Sequence, residues 1–453
     1  MKRKMKIICF GVAGLLLVGI IIAFIFWERP KKELAVYDES GELVAKLTED
    51  YSLDQFKIPY CDVAIEEAAE IIAKKNDCSV ANARKLLWKD KYTIYTYFDT
   101  NVQTALYMAC NPYNDRFACG AAVTDLEGNL VAAYGHGVNT NDRNYALNGT
   151  SPYSSFKPLS VYMQAVERGL LHWSSVYEDS PYKQVESSDG TMRDWPANAT
   201  GTYSNRNVTV YEAIRNSLNT VAVKCLKDVG VNNSISFLKE KLGISLLSEQ
   251  YTETIYSEEE VIGNVAMGYL KEEFTPIDMA GYYQIFANGG KYEKPRAVYK
   301  ICDAEGKEIY TRSYSPTEVI TPRTSDIMNK LLQGVAKTGG TGVEAHCEDV
   351  EVAGKTGTAE GNNENWFVGV TPEYSCAIWH GDNYKNMSPV LFARTMNAVH
   401  LKNAELKNIF GLHSSLQKYI YCEESGMAFS EKCTSVQRGY YVSGTELEKC
   451  NIH

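Results

Sequence analysis

The sequence predicts an α+β protein that is attached to a membrane by one helix near its amino end. Three observations carry this prediction: an uncharged apolar run at residues 7–27, a two-strand pattern at residues 119–134 and a three-strand pattern at residues 350–379. Strands that are joined by short turns pair in antiparallel fashion. Helical patterns precede the first strand group and recur between the two groups, which is typical of α+β folds.

The length and composition are those of a globular protein with two or three units. The chain has 453 residues, of which 45% are hydrophobic and 23% are charged, as in ordinary folded domains. Its 46 basic and 56 acidic residues give a net charge of -10. Phosphate binding requires a basic face, so this composition argues against a nucleic-acid partner.

Residues 7–27 carry no charge and are long enough to cross a bilayer as a helix. Four of residues 1–6 are basic, which favours a cytoplasmic amino terminus and an outward-facing body, although three basic residues also follow the run. A cleaved signal peptide is the alternative. The run is too long for one and no Ala-x-Ala site follows it, so we expect an uncleaved single-pass anchor.

Residues 28–90 are predicted to form a stalk. Residues 35–45 have the pattern of a short hairpin that turns at Ser40-Gly41, and residues 62–89 favour helix. The chain then continues with a strand at 92–99 and a helix at 102–110, followed by the hairpin at 119–134 with its Glu-Gly-Asn turn.

The strongest candidate nucleophile is Ser154, which lies three residues before Lys157 at the predicted start of a helix. Three residues are close to one helical turn, so the hydroxyl and the ammonium are expected to be neighbours. A lysine can take the proton of a serine only if burial or another cation lowers its pKa. The helix start also favours negative charge through its free backbone N–H groups.

The Ser-x-x-Lys spacing alone is weak evidence, because it recurs at Ser180/Lys183, Ser236/Lys239 and Ser415/Lys418. Two further motifs single out Ser154. They are Ser217-Leu218-Asn219 and Lys355-Thr356-Gly357-Thr358. The order Ser-x-x-Lys, Ser-x-Asn, Lys-Thr-Gly marks penicillin-reactive serine enzymes.

A second Lys-Thr-Gly, at residues 337–339, competes with the one at Lys355. It ends a helical pattern and is followed by Gly340, as expected of a helix stop. Lys355 instead lies on the first strand of the predicted three-strand meander, where it can face Ser154. We therefore assign the functional motif to Lys355.

Together with their surroundings, these motifs resemble the transpeptidase domain of penicillin-binding proteins, most closely the class A, or bifunctional, branch. The matching segments are residues 95–99, 125–132, 154–158, 207–219, 286–290 and 365–369, with a cysteine-containing tail that resembles a common class A ending. The resemblance covers about residues 60–453. It implies a serine β-lactamase/D,D-transpeptidase-like fold, with a five-stranded antiparallel sheet between helical layers and a helical subdomain at about 155–280 that carries Ser217.

On this basis we divide the chain into five parts. They are a cytoplasmic tail (1–6), a transmembrane anchor (7–27), a stalk (28–90), a transpeptidase domain (91–405) and a C-terminal extension (406–453). Class A proteins carry a glycosyltransferase domain between anchor and transpeptidase, and the stretch available here is too short for one. The expected chain is therefore monofunctional. Tyr153 is a second departure, because relatives usually have glycine before the serine.

The resemblance implies a role for each motif residue. Ser154 would be the acylated nucleophile and Lys157 its base, kept partly neutral by the charge of Lys355. Ser217 and Asn219 would pass the proton on and hold the substrate amide.

The third motif would bind the substrate. The backbone N–H groups of Ser154 and Thr358 would form the oxyanion hole. The Thr356 and Thr358 hydroxyls beside Lys355 suit a carboxylate, and Gly357 would let the substrate lie close to the strand.

The implied activity is that of a D,D-transpeptidase that cross-links peptidoglycan stem peptides at their D-Ala-D-Ala ends, outside the cell membrane. β-Lactams would acylate the same serine, and a separate glycosyltransferase would be the partner that makes glycan strands. Alternatives are a D,D-carboxypeptidase or β-lactamase, in which water accepts the acyl group, and a non-catalytic β-lactam receptor or scaffold.

No cofactor and no metal site are expected. Neither Cys-x-x-Cys nor His-Glu-x-x-His occurs, and the seven histidines show no pairing that suggests a triad. Eleven cysteines follow the anchor, and an exterior location permits disulfides. Two pairs are close enough in sequence to form disulfides: Cys110 with Cys119, and Cys422 with Cys433. The alternative is that these cysteines are buried free thiols.

Overall fold

The computed structural model describes residues 32–49, 51, 56–136, 144–187, 189–246, 257–381 and 386–453. The predicted tail at 1–6 and the predicted anchor at 7–27 lie outside these ranges. Within the ranges described, the helices are too short or too polar to cross a bilayer.

The strands are distributed along the whole described chain. In order they are β1 (Glu33–Tyr37), β2 (Leu43–Thr48), β3 (Thr93–Thr96), β4 (Cys119–Asp125), β5 (Leu130–His136), β6 (Val176–Glu178), β7 (Lys183–Glu186), β8 (Met192–Trp195), β9 (Asn207–Thr209), β10 (Lys291–Tyr292), β11 (Val298–Cys302), β12 (Glu308–Thr311), β13 (Thr317–Glu318), β14 (Ala353–Thr358), β15 (Glu364–Val370), β16 (Tyr374–Gly381), β17 (Leu416–Cys422) and β18 (Val436–Val442).

The α-helices lie mainly between the strand groups. In order they are α1 (Ile58–Asn76), α2 (Val80–Lys89), α3 (Thr100–Cys110), α4 (Met163–Glu167), α5 (Val210–Arg215), α6 (Asn219–Val229), α7 (Val231–Leu242), α8 (Glu258–Met267), α9 (Pro276–Tyr283), α10 (Pro322–Gln333) and α11 (Ser388–Lys402). Several begin at side-chain caps, such as Asp99, whose carboxylate accepts the backbone N–H groups of Asn101 and Val102 at 2.7 and 3.0 Å.

The central sheet confirms the predicted five-stranded antiparallel arrangement, with the order β14-β15-β16-β4-β5. It lies between two helical layers because alternate residues of its strands face opposite sides. Phe367 belongs to the core formed with α3 and α11, whereas its neighbours Trp366 and Val368 belong to the core formed with α9 and α10. The sheet therefore separates two apolar cores.

The segment assigned to a stalk contributes to a second sheet. The predicted hairpin turning at Ser40-Gly41 is present as β1 and β2, and the sheet order is β12-β11-β3-β1-β2, with β1 parallel to β3. The buried residues of α1 and α2 share one core with the helices behind the central sheet. The boundary at residue 90 stays a prediction, but the two sides of it are packed together.

One buried carboxylate connects α1 to the second sheet. Glu67 accepts the backbone N–H groups of Ala297 and Val298 at 2.7 and 3.3 Å. The Arg296 guanidinium lies 3.6 Å from the same carboxylate. Since Glu67 is 8% exposed, these two N–H groups have no ready access to water if the acceptor is removed.

The described residues between 155 and 280 are largely helical, as predicted, and also contain two small strand pairs, β6-β9 and β7-β8. Thr209 caps α5 by accepting the Glu212 backbone N–H at 3.2 Å. A turn at Asn216 to Leu218 follows, and α6 begins at Asn219. Ser217 therefore lies in the turn between these two helices.

We predict that Glu67→Leu lowers the free energy of unfolding of the whole described body by about 2–4 kcal/mol, because two buried N–H groups lose their acceptor. Denaturant unfolding followed by tryptophan fluorescence and by loss of covalent penicillin labelling measures the change. Glu67→Gln keeps a carbonyl acceptor and should lose less. A shift of fluorescence alone, with labelling unchanged, would show that residues 28–90 unfold independently and would contradict the prediction.

Candidate functional site

Ser154 lies on a single 3-10 turn, Tyr153–Phe156, that leads into a short π-helical segment, Pro158–Tyr162. The Lys157 backbone N–H donates to the Ser154 carbonyl and closes this turn. Side chains three residues apart in such a turn are eclipsed. Ser154 and Lys157 therefore fall on one face of the turn, which is the arrangement that the spacing predicts.

The Lys157 side chain is fully buried and is held by the second motif. Its Nζ donates to Asn219 Oδ1 at 2.6 Å and to the Ser217 carbonyl at 2.9 Å, and lies 3.5 Å from Ser217 Oγ. All three acceptors are uncharged. The lysine is thus oriented without a carboxylate that would stabilise its ammonium form.

Ser217 connects the two lysines of the site. Its Oγ lies 2.8 Å from Lys355 Nζ as well as 3.5 Å from Lys157 Nζ. The residue has φ of 58°, in the left-handed region that side chains other than glycine seldom adopt. The Ser217 and Leu218 backbone N–H groups donate to carbonyls of α5, at Ile214 and Ala213, and so hold the turn that places the hydroxyl between the two amines.

Lys355 lies on β14, at the edge of the central sheet, as predicted. Its Nζ also donates to the Thr356 carbonyl at 3.0 Å, and the side chain is fully buried. Gly357 is placed where an added Cβ would lie 2.6 Å from the Pro152 carbonyl oxygen and 3.2 Å from Ser155 Cβ. Glycine is therefore required for the strand to approach the turn that carries Ser154.

Burial lowers the pKa of both lysines. The pKa of Lys157 is held well below its usual value by burial and, to a smaller extent, by the charge of Lys355. Burial lowers the pKa of Lys355 to about 7. Desolvation penalises the ammonium form and like charge adds to the penalty. Lys157 is therefore suited to accept a proton, and burial rather than Lys355 is the larger cause.

The threonines of the third motif have different surroundings. Thr356 is 6% exposed, and its Oγ1 lies 2.8 Å from Thr341 Oγ1 and 3.4 Å from Lys355 Nζ. Thr358 is half-buried at the end of β14. Thr341 was missed by the sequence analysis, because it belongs to no motif and comes from the loop after α10.

A buried network behind Asn219 was also missed. The Asn198 side chain accepts the Asn219 backbone N–H at 2.9 Å and donates to Asp179 Oδ1 at 2.8 Å. Asp179 also accepts the Thr220 hydroxyl at 2.6 Å and the Ser204 N–H at 2.9 Å. Burial favours a raised pKa for this carboxyl, but the hydrogen bonds from Thr220, Ser204 and Asn198 outweigh it and lower the pKa.

Tyr153 adopts φ of 49°, in the left-handed region that glycine occupies without strain. Its ring packs edge-on against Tyr269 at 5.5 Å between centroids. Burial, followed by the Glu364 carboxylate, raises the pKa of Tyr153 to about 12. The tyrosine is thus fixed beside the nucleophile by packing.

The competing motif copies lie elsewhere. Lys183 forms an ion pair with Glu259, and Lys418 lies 5.2 Å from the centre of the Tyr440 ring. The second Lys-Thr-Gly forms a turn after α10, with Gly339 at φ of 82° and the Thr338 carbonyl accepting from Arg215 at 2.5 Å. These contacts are structural, and none joins the group around Ser217.

The cysteines of the described residues are free thiols, including both pairs that the sequence placed close together. Among the residues that the structure describes, one group of side chains could hold a metal ion: Cys422, Cys433, Cys450 and His453. It lies in the C-terminal extension. The sequence analysis missed it because its members come from segments that no zinc spacing relates.

Comparison with known proteins assigns the site to a family. The family model described as penicillin binding protein transpeptidase domain matches residues 99–387. Penicillin-binding protein 1A of Clostridium acetobutylicum is 34% identical over 234 residues, which are 51% of this chain and 27% of that protein. Penicillin-binding protein 4 of Bacillus subtilis is 29% identical over 330 residues, 71% of this chain and 49% of that protein. The matches thus span half or less of these relatives.

Two solved structures share the fold. The D,D-transpeptidase domain of a peptidoglycan glycosyltransferase from Eggerthella lenta has a TM-score of 0.61 at 18% identity, covering 83% of this chain and all of that one. The PonA1 protein of Mycobacterium tuberculosis in complex with penicillin V has a TM-score of 0.61 at 20% identity, covering 77% and 95%.

We predict that Asp179→Ala slows covalent labelling of Ser154 by a fluorescent penicillin by about 10- to 100-fold, because small displacements of positioned groups cost rates of this order. Asp179 acts through Asn219, which holds Lys157. The pH midpoint of labelling should therefore shift, which a loss of stability alone would not cause.

Two further variants test the connection through Asn219. Thr220→Val removes one hydrogen bond to the same carboxylate and should have a smaller effect. Asp179→Ala in an Asn219→Ala background should add little, since both changes remove one interaction. Full additivity would contradict the proposed coupling.

Proposed function

Because the chain belongs to the penicillin-binding protein transpeptidase family, we propose that it is a serine D,D-transpeptidase that forms an acyl-enzyme at Ser154. The observation that supports this most directly is the placement of one hydroxyl, Ser217 Oγ, between Lys355 Nζ at 2.8 Å and Lys157 Nζ at 3.5 Å. In this proposal, that arrangement supplies the base and the proton relay for Ser154, which precedes Lys157 by one turn.

In the acylation step, neutral Lys157 accepts the Ser154 proton while Oγ attacks the carbonyl carbon of the penultimate D-Ala. The backbone N–H groups of Ser154 and Thr358 stabilise the oxyanion, each donor contributing on the order of a hundredfold in rate. The proton returns through Ser217 to the leaving D-Ala amine. Charged Lys355, with the Thr356 and Thr358 hydroxyls, holds the terminal carboxylate.

In the second step, an amine of a neighbouring stem peptide attacks the acyl-enzyme, and Lys157 accepts its proton. Ser154 leaves with a proton and a new peptide bond joins the two stems. Asn219 donates from its amide group and orients the incoming peptide. Peptidoglycan stem peptides ending in D-Ala-D-Ala are thus the proposed substrates, and β-lactams are the proposed covalent inhibitors.

We further propose that the apolar run at residues 7–27 anchors the chain in the cell membrane, with its catalytic part outside. The proposed partner is a glycosyltransferase that makes the glycan strands. The length of the run and the basic residues before it support the anchor.

Mass spectrometry after exposure to penicillin tests the nucleophile. We expect one adduct per chain, on the peptide that contains Ser154, absent in Ser154→Ala and slowed by about a hundredfold or more in Lys157→Ala. Ser415→Ala removes a serine with the same spacing to a lysine and serves as the control with normal labelling. An adduct on another serine would rule out the assignment.

Product analysis with a pentapeptide donor distinguishes the acceptors. With an added stem-peptide amine we expect a cross-linked dimer as the main product. Release of the tetrapeptide alone, in the presence of saturating amine, would identify a carboxypeptidase. Rapid release of opened penicillin would identify a β-lactamase.

We predict a bell-shaped pH profile for the second-order rate of acylation. The rate rises with pH as Lys157 loses its proton, and this limb lies well below the usual lysine pKa because burial disfavours the ammonium. It falls at higher pH as Lys355, whose pKa burial lowers to about 7, loses the charge that binds the carboxylate. Lys355→Arg keeps its charge at all accessible pH, so an unchanged alkaline limb in that variant would contradict the assignment.

A further inference from the structure

The C-terminal extension brings four metal-binding side chains together from three places in the chain. One ligand atom from each of Cys422, Cys433, Cys450 and His453 lies within 4.8 Å of all the others. Cys422 is fully buried, Cys450 is 6% exposed and the His453 side chain is 16% exposed. Cys433 is partly exposed, like His453, so two members of the group are buried and two lie at its edge.

The backbone fixes the positions of these residues. Cys422 ends β17 and is paired with Val436 at the start of β18, so the intervening loop returns Cys433 to the same end of the ribbon. Cys450 is held there because its backbone N–H donates to the Ala428 carbonyl at 2.9 Å. Three separate parts of the extension thus converge on one point.

Two sulfur atoms accept hydrogen bonds from the surrounding chain. The Ser430 backbone N–H donates to Cys433 Sγ at 3.3 Å, and the Ser425 hydroxyl donates to Cys450 Sγ at 3.4 Å. Such donors stabilise negative charge on sulfur, and metal ligands are commonly supported in this way. These two donors therefore stabilise the thiolate form of Cys433 and Cys450 more than the neutral thiol form.

The histidine also has the surroundings of a ligand. Among the described residues, Nε2 of His453 has no hydrogen-bond partner although the atom is buried. It lies 3.5 Å from Oε2 of Glu424. A metal-bound histidine commonly donates its other ring N–H to a carboxylate, so an Nε2–H that faces Glu424 would leave Nδ1 as the ligand atom.

We propose that Cys422, Cys433, Cys450 and His453 bind one Zn²⁺ as a closed structural site. Zinc prefers four tetrahedral thiolate and imidazole ligands, at about 2.3 Å to sulfur and 2.0–2.1 Å to nitrogen. Around a tetrahedral zinc, the ligand atoms lie roughly 3.5–3.8 Å from one another. The four ligand atoms observed here, which lie within 4.8 Å of one another, would therefore need to move together only slightly to bind the ion. Binding replaces the three thiol protons, which are released to solvent.

The site would join the carboxyl end of the chain to the β17-β18 ribbon. This ribbon packs against the domain through Tyr421 and Tyr441, which are buried in the main core. The Ser174 hydroxyl also donates to the Gly426 carbonyl at 2.5 Å and accepts from the Tyr441 hydroxyl at 2.8 Å. A two-stranded ribbon has little core of its own, and a bound metal is one way that small modules gain stability. All four ligands come from protein, so no position remains open for catalysis.

The test is the metal and thiol content of the full chain, purified without chelator and with zinc in the growth medium. We expect about one zinc per chain by elemental mass spectrometry, falling to near zero in Cys433→Ser, Cys450→Ser and His453→Gln. Cys302→Ser removes a buried cysteine of the second sheet and should keep the zinc. Penicillin labelling of each variant reports whether the transpeptidase domain is folded.

Replacement of zinc by Co²⁺ gives a second readout. A tetrahedral site with thiolate ligands produces intense visible absorption and a thiolate-to-cobalt charge-transfer band, and both should weaken in His453→Gln.

The proposal is overturned if the wild-type chain holds no zinc after incubation with the ion under reducing conditions, or if mass mapping of the purified chain finds a disulfide among the three cysteines. It is also overturned if the Cys302→Ser control loses zinc to the same extent as the ligand variants.

Normal penicillin labelling together with any of these results would leave the proposed catalytic function intact, because labelling tests Ser154 and not the zinc site.

Discussion

The structure depends on the burial of two lysine side chains around one serine hydroxyl. Lys157 and Lys355 are both fully buried, and their amines are met by hydroxyl, amide and carbonyl oxygens rather than by a carboxylate. Burying two cations without a counter-ion is unfavourable, and the free-energy cost is lower when one of the two lysines is neutral. The loss of a proton is what makes Lys157 a base. The surrounding fold has to be rigid enough to maintain this unfavourable arrangement.

Rigidity comes from elements that are distant in sequence and adjacent in space. The edge strand β14 approaches the nucleophile turn so closely that only glycine fits at position 357. The Ser217 turn is held between α5 and α6, and Asn219 is held from behind by Asn198 and Asp179. Each of the three motifs therefore has its own support. The site is preorganised because its members cannot move independently.

The motifs, the hairpin and the meander could be predicted from the sequence because their signals are local, whereas their union in one five-stranded sheet, through the pairing of β4 with β16, was implied only by the family resemblance. Alternation of apolar residues and short turns indicates a hairpin and a meander, and Ser154, Ser217 and Lys355 stand in a recognisable order. The second sheet could not be predicted in the same way, since β3 pairs with β11, which lies far along the chain. Asp179 and Thr341 belong to no motif and acquire their positions through tertiary packing. The cysteine and histidine cluster was hidden for the same reason, as its spacing in sequence matches no familiar site.

The order of strands in the two sheets has a consequence for synthesis on the ribosome. β3 needs β11 as its neighbour, and β4 needs β16. Neither sheet can close until the chain has been made as far as residues 298–302 and 374–381 respectively. Until then the early strands have unpaired edges, which are prone to intermolecular pairing. In a chain of this topology the early strands therefore keep an open edge for most of synthesis, and completion of the central sheet is a late step.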